Sequence, residues 1–209
     1  MRSDPQRLLA TAVRRIARAE DRAEVVHELC AVSVEHFADA VLVYLAPGPG
    51  PAHGPDPVPG QLHLAASRFL DSSAPEKLPE VASVARSGVL AEVLLAGETL
   101  GRTSPATEPA LRELLGPTPR LPKGNRVLLA PVSDARGVIG AAVFLRRRAR
   151  ETFDADDILT ADQLTAQAAL GLTTPEPTSP STTAVPVTAG SPPMAAAPST
   201  AASPLTAAA

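Results

Sequence analysis

With one cysteine, one tyrosine, four phenylalanines and no tryptophan in 209 residues, this chain lacks most of the groups on which cofactor chemistry is built. The single thiol, Cys30, excludes an intrachain disulfide and any cysteine-rich zinc site. So few aromatics leave little for a large planar cofactor such as haem to stack on, and no cofactor is expected. No apolar run approaches the roughly 20 residues of a membrane span. In the N-terminal stretch MRSDPQRLLATAVRRIARAE, arginines are threaded through the apolar residues rather than preceding them, which is not the order of a signal peptide. A cytoplasmic protein is the expectation. Lysine is scarce too: arginine outnumbers it 17 to 2, the mark of a GC-rich bacterial genome.

Charge of one sign is missing as well. The formal net charge is −3, so the chain carries no electrostatic footprint for nucleic acid or an anionic membrane. Gly-rich phosphate loops, Gly-x-Ser-x-Gly and paired catalytic carboxylates are absent, so no catalytic residues are assigned and no enzyme is expected. His27, His36, His53 and His63 have no metal-ligand spacing, so no metal site is assigned either. Arg146, Arg147, Arg148 and Arg150 form the only basic run. Glu151, Asp154, Asp156 and Asp157 follow at once, so a solvated strand end with local pairing is expected rather than a phosphate site.

What the chain does have is periodicity. Leu9, Val13, Ile16 and Ala17 recur at helical spacing over residues 6–19. Asp21 with Glu24 three residues on forms a capping signal for a second helix, residues 22–36, with Val25, Val26, Leu29, Val32 and Ser33 inward. Strands are expected at 40–46 and 61–69, separated by PGPGPAHGPDPVPG (47–60), whose six prolines and four glycines preclude regular structure. A helix over 87–95 should end at Gly97, followed by a short strand over 98–102 and a weaker helix over 105–115. The runs 127–132 and 138–145, joined by Ser133-Asp134-Ala135-Arg136-Gly137, read as an antiparallel hairpin. They scarcely alternate in polarity, so both faces of the sheet should be covered. Asp154 caps a last helix, with Asp156 and Asp157 at its positive end and Phe153 poised to staple onto Ile158.

From residue 173 onward the chain is Thr, Pro, Ser and Ala, with Glu176 its only charge. Such a segment has too little apolar area to offset the entropy of ordering, so 173–209 is expected to be a disordered tail behind one domain, 1–172.

The order of elements, with the hairpin, Phe37-Ala38-Asp39 before the first strand and Phe153-Asp-x-Asp-Asp157 opening the last helix, resembles a GAF domain. The nearest variant is the kind that precedes phosphatase domains in high-GC bacterial regulators. The resemblance implies an α+β, PAS-related fold with a central antiparallel sheet covered by helices. It also implies a non-catalytic regulatory role in signal transduction, with a small molecule or a signalling protein as partner. The ligand of such a fold sits between the sheet and the segments joining strands two to four, here about 75–123. Tyr44, Ser67 and Arg102 are the polar residues best placed to point there. The Asn-Lys-x-Phe-Asp-Glu pattern of cyclic-nucleotide binders is absent, as are the pocket cysteines of GAF-type methionine-sulfoxide reductases. Two alternatives stay open: a dimerisation or docking module with a collapsed pocket, and the input half of a phosphatase whose catalytic half is separate.

The last helix carries two apolar stripes. Ile158, Ala161, Ala168 and Leu172 suit the sheet, while Leu159, Ala166 and Leu170 lie roughly 150° away, at about 100° per residue. The first helix either covers the second stripe within one chain or joins it in a parallel homodimer, which is the expected assembly.

Overall fold

A computed structural model of the chain describes residues 5–47, 58–70, 78–101, 104–116, 126–146 and 151–173. Most of the 47–60 loop and all of 174–209 lie outside the described residues. Two helices come first, α1 (Pro5–Ile16) and α2 (Arg22–His36), followed by β1 (Ala40–Leu45), β2 (Gln61–Phe69) and β3 (Val81–Ser83). Then come α3 (Val89–Ala96), α4 (Thr107–Leu115), β4 (Val127–Asp134), β5 (Gly137–Leu145) and α5 (Ala155–Thr173). The strands form one antiparallel sheet in the order β3-β2-β1-β5-β4.

Local chemistry sets the boundaries. Asp21 takes the Glu24 N–H at 2.7 Å and opens α2, while Gly97, at φ 68°, closes α3 in the left-handed conformation that glycine adopts without penalty. Asp154 and Asp157 form a reciprocal capping box, each accepting the other's N–H at 3.0 Å. Phe153 and Ile158 sit in the same apolar cluster, as a staple requires.

The pleat then sorts alternate residues into two cores. Val41, Val43, Leu45, Leu128, Ala130, Ala142 and Phe144 face a layer made by α1, α2 and α5. Leu42, Tyr44, Leu62, Leu129, Ala141 and Val143 face α3 and α4. Both faces are covered, which is why the hairpin strands are apolar without alternation. At Gly140 the strands approach so closely that an added Cβ would lie 2.2 Å from the Tyr44 carbonyl oxygen.

Three elements differ from the sequence reading. The strand expected over 98–102 is only an isolated bridge, Leu100 to Leu129, and the true third strand is Val81–Ser83. The element order is therefore α-α-β-β-β-α-α-β-β-α. Helix α1 buries Leu8, Ala12 and Ile16, with Leu9 only partly buried against the same core and Val13 exposed, because its inward face is set by packing on α2 and α5, with Ile16 against Gly171.

Candidate functional site

The position expected for a ligand from the sequence is the space between the sheet and the α3–α4 layer. Its floor is β1 and β2, and its roof is α3, α4 and residues 78–80. Leu42, Tyr44, Leu62, Leu90, Leu94, Leu114 and Leu129 meet there, each almost wholly inaccessible to water. A water-sized void beside any of them would leave part of that side chain accessible, so around these seven residues the layer is packed.

Tyr44 does point into this layer, but its hydroxyl is engaged. It donates to the Pro79 carbonyl oxygen at 3.0 Å, and burial pushes its ionisation up to about 12. Ser67 pairs with Leu42 across β1 and β2, which places it on the same face of the sheet. It lies nearer the end of the strand, however, and is exposed to solvent. Arg102 lies outside the described residues. Tyr44 and Ser67 thus share a face without converging on a common point.

The residue that organises the Ala40 end of the sheet, away from Tyr44, was not singled out for that role by sequence. Arg146, directly after β5, is buried and not the solvated strand end expected of it. Its guanidinium grips Asp157 through two bonds, 2.7 and 2.9 Å, and its Nε donates to the Phe37 carbonyl oxygen at 2.9 Å. The cation lies 4.0 Å from the Phe153 ring centroid and 5.2 Å from that of Phe37, and the two rings are 5.4 Å apart. Phe37-Ala38-Asp39 and Phe153–Asp157, distant in sequence, therefore meet on one arginine. A single cationic residue between an apolar strand and a capping box was the available signal, and the neighbouring arginines obscured it. Arg147, Arg148 and Arg150 lie outside the described residues.

Cys30 is buried on α2 in the core beneath the other face. Desolvation raises its thiol to about 12, against a weaker opposing pull from Arg68. His27, His36 and His63 are surface residues. Among the described residues no cluster of His, Cys, Asp or Glu has the makings of a metal site, and no helix is long and apolar enough to cross a membrane.

No family model matches the chain, and no curated protein matches it in sequence. Its fold is nonetheless shared with solved structures. The GAF domain of a phosphoenolpyruvate-protein phosphotransferase from Acinetobacter superposes with a TM-score of 0.55 at 17% identity, covering 82% of this chain and 94% of that one. The corresponding domain from Coxiella burnetii gives 0.54 at 16% identity, over 80% and 92%. A free methionine-R-sulfoxide reductase from Neisseria meningitidis, solved in complex with its substrate, gives 0.58 at 16% identity, over 82% and 92%. The architecture is GAF-like: a five-stranded antiparallel sheet with helices on both faces.

Proposed function

We propose that this chain is a non-catalytic regulatory domain of signal transduction that acts through protein contacts. Its working form is a parallel homodimer assembled on α1 and α5. The observation that carries this reading is the close packing of Leu42, Tyr44, Leu62, Leu90, Leu94, Leu114 and Leu129 between the sheet and α3–α4, where a GAF-type receptor would need room for its ligand.

The outer helices supply what the inner layer does not. On α5, Leu159 and Leu170 are 61% and 63% exposed, and on α1 Val13 is 41% exposed. Leu159, Gln163, Ala166 and Leu170 follow one line along the helix, and all four are exposed. Packing of α1 within the chain leaves that stripe uncovered. The two helices also differ in sign: α1 carries Arg7, Arg14 and Arg15 and no acid, whereas α5 carries Asp156, Asp157 and Asp162 and no base. Asp157 is held by Arg146 and Arg15 by Glu28 and Glu35, so the apolar stripe rather than these charges is what a two-fold axis laying α1 of one copy beside α5 of the other would bury.

Chemistry argues against thiol-based sulfoxide reduction. Reducing a sulfoxide with a thiol takes an accessible thiolate, and the one thiol here is buried with its ionisation at about 12. We extend the reading to the narrower resemblance, a bacterial, cytoplasmic domain whose signalling partner is a separate phosphatase. It rests on Phe37-Ala38-Asp39 and Phe153–Asp157, the motifs joined by Arg146.

A second reading, small-molecule sensing, is favoured by one observation: the buried Thr99 hydroxyl has no hydrogen-bond partner. Two measurements separate the readings. Light scattering at tens of micromolar should give twice the chain mass, falling to one for Leu159→Glu or Leu170→Glu. Thermal shift against a panel of cyclic nucleotides, amino acids and free methionine sulfoxide should give no stabilisation. A monomer mass for the unmodified chain overturns the dimer, and a ligand-dependent rise in Tm replaces it with the sensor reading.

A further inference from the structure

Among the described residues, half of the outer side of β2 has no neighbouring strand. Strand β3 pairs only with Gln61–His63, and the last bond on that side runs from the Leu64 N–H to the Glu80 carbonyl oxygen at 2.8 Å. Beyond Glu80 the Pro79 carbonyl oxygen accepts the Tyr44 hydroxyl, and no described residue continues the ladder along β2. On the inner side, the Leu70 N–H donates to the Asp39 carbonyl oxygen at 2.8 Å while Ala40 faces Phe69. That bond makes Ala40–Phe69 a non-hydrogen-bonded pair, and alternation makes Leu42–Ser67 another. The N–H and C=O groups of Ser67 and Phe69 therefore point away from β1. Among the described residues nothing hydrogen-bonds to them there.

Alternating free donors and acceptors at strand spacing complement one kind of partner, a second extended backbone. The usual defences are weak along this stretch. The ladder irregularity of β1 and β2 falls before it, at Val43/Tyr44, and its only charge is Arg68. Two exposed apolar side chains stand at its ends: Val81, 45% exposed, beside His63, and Leu70, 58% exposed, after Phe69. An incoming residue opposite Arg68 is best acidic, and one beside Phe69 is best apolar. A second copy of β2 fits less well. Antiparallel pairing centred on Ser67 sets each Arg68 against Ala66, with no acid in reach.

We propose that the outer edge of β2, Ser67–Phe69, docks an extended segment of a partner protein, alternating acidic and apolar residues, as an added strand of the sheet.

The test uses the full chain, labelled with nitrogen-15, and a capped peptide of alternating valine and glutamate. Amide shifts and slowed exchange should appear at Ser67 and Phe69. Ser67→Pro removes an outward N–H that β1 does not use, so it should keep the fold and weaken binding at least tenfold. Arg68→Glu should switch the preference to a valine–lysine peptide. A further probe leaves the protein untouched: peptides N-methylated at alternate amides should lose binding in one phase and keep it in the other. Absence of shifts at millimolar peptide, shifts centred on Leu159 and Leu170, or equal binding by both methylation phases would overturn the proposal. So would a fall in molar mass caused by Ser67→Pro, which would identify the occupant as a second copy.

Discussion

At the scale of single residues, the two buried acids of highest ionisation tie stability to alkaline pH. Burial raises both Tyr44 and Cys30 to about 12, from ordinary values of 10.0 and 9.0. Each keeps its proton longer in the folded chain than in the unfolded one. Their contribution is therefore complete below pH 9 and is lost as pH rises through 9–12, at no more than about 1.4 kcal/mol per pH unit for each group. Melting curves between pH 8 and 12 should show Tm falling across that window. Tyr44→Phe should flatten the part above pH 10, where the phenol begins to ionise in the unfolded chain. An unchanged alkaline profile in that variant would show that the phenol stays protonated for no reason connected with folding.

Among elements, those with local punctuation were legible and those made by distant partners were not. Helix α2 and strand β2 lie where the spacing put them, because Asp21, Glu24 and an apolar period of 3.6 or 2 act within a few residues. Strand β3 is too short to carry a period, and only its partner β2 defines it. The reading of Tyr44 as inward was sound as to face. Its bond to Pro79, 35 residues away, was not accessible to spacing, and neither was the Arg146–Phe37 bond across 109 residues. Helix α3 shows the same limit. Its N-cap is Gly88, which has no side chain to offer, and the cap comes instead from Glu113 on α4. That carboxylate accepts the Val89 and Leu90 N–H groups, each at 3.0 Å. Glu113→Ala should cost about 1–2 kcal/mol in urea unfolding, the usual loss for an N-cap, with Glu113→Gln recovering part of it. A loss as small as that of an exposed control such as Glu108→Ala would refute the cap.

For the molecule as a whole, the strand order has a consequence in time as well as space. The central strand β1 is flanked by β2, which follows it within a few tens of residues, and by β5, whose Gly140–Leu145 pairs with Leu45–Ala40. During synthesis at about 5–20 residues per second, one side of AVLVYL waits roughly 5–20 s for its second neighbour to leave the ribosome. Throughout that interval, one of the most apolar segments of the chain is a strand with an open side and no helix α5 to cover its face. A chain released after residue 116 should be insoluble or bound to chaperones, and adding residues 117–173 should restore solubility. Pelleting of stalled nascent chains of increasing length would locate the change. A soluble 116-residue product would mean that β1 is protected by something other than its own hairpin. The late arrival of β5 and α5 makes this a fold that closes late, so a truncation or frameshift between residues 116 and 155 should be as damaging as one near the start.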